Sequence, residues 1–189
     1  MIAAACAFSL AAPPRAAADE IWLLQIEPEV VVPLSEPQRS WFGPGLAGSL
    51  SVFRSLHPAF LLGARVRGGF LFDGPAPDQE EFVDPGLGTF STLTLALRLR
   101  PFFRTDDPSR GTGLFLEAGA GGTITGATHI RAVMDIGIGY GFKLGKIDLA
   151  PVVRYLQVFQ PNDLLEPHDA RMISIGLELT FLDARSIDD

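Results

Sequence analysis

The chain has 189 residues, which is enough for one domain with a substantial buried interior. Hydrophobic residues make up 47% of it, yet no uninterrupted apolar run reaches the roughly 20 residues that a membrane-spanning helix requires. The formal net charge of −7 at pH 7 argues against a nucleic-acid partner, because binding to nucleic acid requires a basic surface.

The first segment of the chain is typical of a secretory signal peptide. Its residues, MIAAACAFSLAAPPRAAADE, form an apolar, Ala-rich stretch that closes on Ala16, Ala17 and Ala18, as small residues do at a cleavage site. We therefore expect a signal peptide over residues 1–18; the alternative is a buried N-terminal strand or helix. Cys6 is the single cysteine and lies in this segment, so we expect no disulfide in the mature chain.

Beyond this segment, large apolar residues alternate with small or polar ones, and a period of two predicts β-strands. The pattern occurs eight times, at residues 21–32, 45–56, 60–72, 92–101, 114–124, 130–142, 147–156 and 173–181. In the first segment, for example, Trp22, Leu24 and Ile26 share one face, while Gln25 and Glu27 share the other. The pattern predicts an all-β chain.

The connections between these segments differ in length. They are tight at 56–59 and 143–146, of medium length at RTDDPSRGTG, and longest at DGPAPDQEEFVDPGLG; the short TGATH is an exception. Long connections at one end and short ones at the other are typical of an up-and-down meander. The sequence predicts an eight-stranded antiparallel up-and-down β-barrel over residues 19–182, followed by a polar tail at 183–189.

Two kinds of barrel fit this meander, and they differ in which face lies inside. A soluble, lipocalin-like barrel encloses its apolar face, whereas a membrane barrel turns that face toward lipid. The interior of an eight-stranded barrel is only just wide enough for side chains to fill it, so a face rich in Gly, Ala, Ser and Thr fits better there than a full set of Leu and Phe. Charged residues on this small-residue face comprise six acids and six arginines: Glu27, Glu29, Glu117, Asp135, Asp148 and Glu178, with Arg65, Arg67, Arg98, Arg100, Arg131 and Arg154.

This balance of charge favours the transmembrane barrel. Buried charges are tolerated when they are paired, whereas an arginine turned toward lipid costs about 2–4 kcal/mol at the midplane of the bilayer. The residues that we expect to face lipid are Leu24, Ile26, Leu62, Leu95, Leu97, Leu116, Ile136, Ile138, Val153, Leu177 and Leu179. Aromatic residues near the strand ends are expected to form interfacial girdles: Trp22, Trp41, Phe42, Phe72, Phe102, Phe103, Tyr140, Phe142 and Tyr155.

With these features the sequence resembles the small eight-stranded outer-membrane β-barrels, namely the OmpA-type transmembrane domain and its OmpX-like relatives. The resemblance covers residues 20–182 and includes the last strand, whose LELTF ends on the aromatic Phe181. It implies a Gram-negative outer-membrane protein with both termini periplasmic. It further implies contact with outer-membrane lipids and lipopolysaccharide, recognition of the last strand by the barrel-insertion machinery, and luminal Arg/acid pairs that block or gate the pore.

The function that we expect is non-enzymatic, with a structural or surface-interacting role, a lumen plugged by Arg/acid pairs, and a surface ligand of unknown identity. No cofactor and no metal site is expected. The alternative is a narrow gated pore for ions or small solutes. A third possibility is an outer-leaflet lipid-modifying enzyme, for which His57, His129 and His168, with Asp169 and Ser174, are the available groups.

Two further features lead to weaker expectations. The acidic loop from Asp73 to Asp84 has no tight spacing of oxygen ligands, so a solvated loop is favoured over a divalent-cation site. Pro28 and Pro151 fall within predicted strands, where each removes an N–H donor, so we expect a bulge or irregular pairing at both.

Overall fold

A computed structural model shows a closed barrel of eight antiparallel strands, which confirms the predicted fold class. The structure describes residues 22–36, 38–57, 59–74, 88–101, 113–126, 129–144, 147–160 and 169–182. The strands are β1 (Trp22–Pro33), β2 (Phe42–His57), β3 (Phe60–Asp73), β4 (Thr89–Leu99), β5 (Gly113–Thr125), β6 (His129–Leu144), β7 (Ile147–Val158) and β8 (Ala170–Leu182). Each strand pairs with the next one along the chain, and β8 closes the barrel against β1.

One short helix, α1 (Gln38–Trp41), connects β1 to β2. Within the described ranges, no helix has the length and apolar character needed to cross a membrane. The predicted signal peptide and the predicted C-terminal tail lie outside the described residues.

Burial alternates along each strand, and the apolar face is the outer one. Leu95 is 71% exposed and Ile136 is 54% exposed, whereas Arg98 and Glu117 are almost completely buried. Of the eleven residues that the sequence assigns to lipid, all are exposed on the outer surface except Leu179, which is half-buried. An outward apolar band around a polar interior is the arrangement of a transmembrane barrel.

The prolines within strands interrupt the hydrogen-bonded ladder without changing its register. The ladder between β1 and β8 is interrupted at Glu27 and Pro28, and the ladder between β6 and β7 is interrupted opposite Pro151. Irregular pairing is thus confirmed at both prolines, but neither has a bulge, because proline removes one donor and inserts no residue. Register shifts occur instead between β2 and β3, in the segments 42–45 and 55–57.

Apolar side chains also fill parts of the interior, which the sequence interpretation did not anticipate. We call the end of the barrel that carries Trp22 and Leu182 the terminal end, and the opposite end the loop end. The loop-end layer comprises Val31, Phe42, Leu71, Phe90, Val133, Leu156, Val158, Ala170 and Met172. The terminal-end layer comprises Leu23, Phe53, Leu61 and Ala96, with Phe115, Ala150 and Val152.

Phe42 is therefore misassigned to an interfacial girdle, since it is buried at the start of β2. Trp41, the last residue of α1, packs against the same layer from above β2. Among the other predicted girdle residues, Trp22, Phe72, Tyr140 and Phe142 are exposed on the outer surface, and Tyr155 is half-buried. Phe102 and Phe103 lie outside the described residues.

Candidate functional site in the barrel lumen

The charged residues that the sequence assigns to the lumen are brought together inside the barrel. Eleven of the twelve are at most 5% exposed. Arg131 is the exception: it is half-buried near the loop end, where its Nη1 donates to Thr125 Oγ1 at 3.2 Å. The strand alternation explains the convergence, because every second residue of each strand points to the same enclosed space.

Glu117 of β5 lies at the centre of this charge network and accepts hydrogen bonds from three arginines. Arg65 Nη2 donates to its two carboxylate oxygens at 2.8 and 2.9 Å. Arg98 donates through Nε and Nη2, at 3.2 and 3.1 Å. Arg154 donates through Nη1 to Oε2. Such charge-assisted bonds are about twice as strong as neutral ones.

Each of these arginines also binds a second acid on another strand. Arg98 Nη1 donates to Glu178 Oε1 at 2.9 Å, and Arg154 Nη2 donates to Glu27 Oε2 at 2.8 Å. Arg65 donates to Asp135 Oδ1 through Nη1 at 3.2 Å, and to Ser51 Oγ through Nε at 3.0 Å. The network that includes Glu117 therefore has a member on all eight strands.

Apolar side chains bound the network on both sides along β1, β3 and β7. On β1 the flanking buried residues are Leu23 and Val31, and on β3 they are Leu61 and Leu71. Arg98 additionally lies against two rings of the terminal-end layer, with its Cζ 4.0 Å from the ring centroid of Phe115 and 5.1 Å from that of Phe53.

Glycines provide the space that these long side chains occupy. A Cβ on Gly137 would lie 2.7 Å from Arg154 Nη1, and a Cβ on Gly119 would lie 2.7 Å from Asp135 Oδ2. On β8, a Cβ on Gly176 would lie 2.8 Å from Glu27 Oε1 and 3.0 Å from Glu29 Cγ. Gly176 thus makes room for two carboxylates rather than for an arginine partner of Glu178, as we had expected.

A second, smaller ion pair lies beside the network. Arg67 Nε donates to Glu29 Oε1 at 3.0 Å, and both residues are buried. The remaining two members of the predicted set, Arg100 and Asp148, are buried toward the terminal end.

Sequence reasoning missed the neutral members of the interior. Gln25 Oε1 accepts from Arg98 Nη2 at 3.1 Å, and Ser51 accepts from Arg65. The apolar layers were missed as well, although Leu23, Phe53 and Leu61 lie in the same alternation as the charges. The alternation therefore carried the signal, and only the expectation of a wholly polar interior hid it.

The residues considered for an enzyme do not form one cluster in the described part of the chain. His57 ends β2 and His129 begins β6, so they lie at opposite ends of the barrel, and His168 lies outside the described residues. The carboxylate of Asp169 accepts from Gln157 Nε2 at 2.7 Å and from the backbone N–H of Gln160 at 3.1 Å. Its contacts thus tie the two ends of the β7–β8 connection together. Of the acidic loop, residues 75–87 lie outside the described residues.

Comparisons with known proteins support the fold. No protein-family model and no curated protein matches the chain. Among solved structures, Neisserial surface protein A has a TM-score of 0.56 at 11% sequence identity, with 85% of this chain and 96% of that chain covered. Ail, the attachment invasion locus protein of Yersinia pestis, has a TM-score of 0.48 at 8% identity, with 87% of this chain and 99% of that chain covered.

The similarity to Neisserial surface protein A extends over nearly the whole of that protein, and both chains form a closed barrel. At 11% identity it is a similarity of fold. The chain therefore has the fold of the small eight-stranded outer-membrane β-barrels, the architecture that the sequence resemblance implies.

Proposed function

We propose that this chain is a non-enzymatic protein of the Gram-negative outer membrane whose lumen is plugged, and whose role is structural or surface-interacting. The observation that carries the proposal is the network centred on Glu117. It connects all eight strands and is bounded by buried apolar side chains, so the centre of the barrel holds packed side chains where a pore would need water. An eight-stranded barrel has little interior width beyond what side chains fill.

The outer surface supports placement in a bilayer. Twenty-eight large apolar side chains are exposed in the described residues, including Leu95, Ile136 and Ile175. In water such a surface would be an aggregation hazard, whereas in lipid it provides the apolar band of a membrane barrel. Its contacts would be outer-membrane lipids and lipopolysaccharide, and the barrel-insertion machinery would read β8 during assembly.

Planar-bilayer recording tests the plug directly. The purified, refolded chain should insert without producing steady single-channel conductance, because every buried arginine of the network has an acid within hydrogen-bond distance. An open porin inserted under the same conditions is the positive control. Steady conductance from the wild-type chain would contradict the plug and favour a narrow pore, and its loss or increase in Arg98→Ala would then locate the gate.

Cysteine labelling tests the orientation, with both termini in the periplasm and the loop end at the cell surface. Ile130→Cys, at the loop end of β6, should react with a membrane-impermeant maleimide on intact cells. Lys143→Cys, at the terminal end of the same strand, should react only after lysis. The reverse pattern would overturn the orientation, and protection of neither site would contradict a surface-inserted barrel.

Lipid A mass spectrometry tests the non-enzymatic assignment. Spectra from cells with and without the protein should be identical. A mass difference that corresponds to a lost or gained acyl chain would instead establish a lipid-modifying enzyme.

A further inference from the structure

Five buried polar side chains near the loop-end layer each have an atom without a hydrogen-bond partner in the described part of the chain. The atoms are Ser174 Oγ, Glu29 Oε2, Ser49 Oγ, Arg67 Nη2 and Thr94 Oγ1. All five residues are at most 5% exposed. Buried polar atoms in native proteins nearly always have a partner, so a group of five requires an explanation.

These five residues occupy five consecutive strands around the barrel, in the order β8, β1, β2, β3 and β4. Ser49 is the register partner of Arg67, and Arg67 is bonded to Glu29. Glu29 is in turn the register partner of Gly176, two residues from Ser174. We call this group the polar ring.

The ring lies between the loop-end layer and the network centred on Glu117. The next inward-facing residue toward the loop end is Val31 on β1 and Met172 on β8, and both belong to the loop-end layer. The next inward-facing residue in the other direction is Glu27 on β1 and Arg65 on β3, and both belong to the network. Whatever completes the hydrogen bonds of the ring is therefore enclosed.

The free atoms define what kind of molecule fits. Arg67 Nη2 can only donate and Glu29 Oε2 can only accept, whereas the three hydroxyls can do either. The charges of Arg67 and Glu29 already cancel within their ion pair, so the ring does not call for a charged ligand. Water is small and neutral, and it both donates and accepts; a buried site for it needs two to four polar partners.

We propose that ordered water molecules occupy the polar ring and bridge these five side chains. Serine and threonine on three of the five strands are short enough to leave volume for molecules of this size. The loop-end layer separates this water from the solvent above the barrel, so the site adds hydration without adding a path for ions.

Alanine substitution tests the proposal through the sign of its effect. If Ser49 and Ser174 hold water, Ser49→Ala and Ser174→Ala remove a bridging partner and lower the urea midpoint of unfolding of the barrel refolded in lipid vesicles. If the ring is dry, each substitution removes an unsatisfied buried hydroxyl, and the midpoint stays the same or rises. A raised or unchanged midpoint in both variants would overturn the proposal.

Ser51→Ala is the matched control, because Ser51 Oγ accepts from Arg65 Nε at 3.0 Å. It should lower the midpoint whether or not the ring holds water, which shows that the assay detects the loss of one interior hydrogen bond. A second measurement uses the unmodified chain in micelles. Nuclear Overhauser cross-peaks to water are expected at the amides of Ser49, Thr94 and Ser174, and their absence at all three would equally sink the idea.

Discussion

At the residue scale, Glu117 is the side chain on which most interior contacts depend. It is 2% exposed and is bound by Arg65, Arg98 and Arg154, which come from three different strands. A buried carboxylate is tolerated only when its loss of hydration is offset by such partners. The sequence alone marked Glu117 as one of six equivalent acids, because spacing along the chain does not show which charges meet across the barrel.

Glu117→Gln should reduce the free energy of unfolding by about 3–5 kcal/mol, because the neutral amide leaves three buried arginines with one charged partner fewer. Urea unfolding of the barrel in lipid vesicles measures the loss. Glu36→Gln is the matched control, since Glu36 is exposed and accepts only a surface bond from the backbone N–H of Ser40 at 3.1 Å. Equal stability of the two variants would contradict the central role of Glu117.

At the element scale, the contact between β1 and β8 that closes the barrel depends partly on side chains. Its backbone ladder is interrupted at Glu27 and Pro28. Arg154 of β7 reaches across this gap: its Nη2 lies 2.8 Å from Glu27 Oε2 on β1 and 3.7 Å from Glu178 Oε2 on β8. The ion pairs thus bridge the strands where the ladder does not.

Pro28→Val should restore a donor at this gap and complete the ladder between β1 and β8. We expect slower hydrogen exchange for the amides of residues 176–179 on β8, measured by mass spectrometry on the refolded barrel. Pro44→Val serves as control, because Pro44 lies where β2 and β3 change register and should leave these amides unaffected. Unchanged exchange in Pro28→Val would show that the missing N–H does not cause the interruption.

At the scale of the whole molecule, the fold is turned inside out relative to a soluble barrel. Its largest exposed side chains are apolar, and its largest fully buried ones are Arg65, Arg98 and Arg154. Lipid accounts for this distribution, because it solvates the outer leucines and makes an exterior arginine costly.

Leu95→Arg should therefore reduce the stability of the barrel in lipid vesicles by about 2–4 kcal/mol, since Leu95 lies in the middle of β4 and is 71% exposed. Ile130→Arg is the depth control: Ile130 is 82% exposed at the loop end of β6, where a charge reaches the interface and should cost about 0–1 kcal/mol. Equal effects at both positions would argue against a lipid-facing band.

The alternation of residue types determined the eight strands, their faces and the inversion of the barrel, because the period of a strand is local and can be read from neighbouring residues. It also placed Arg98, Glu117 and Glu178 together in the interior. The tertiary structure alone decided which charges pair, that Phe42 and Phe53 pack inside, and that the prolines interrupt the ladder without a bulge. These outcomes depend on which residues of different strands come to the same height in the barrel, and that height is set by closure of β8 against β1.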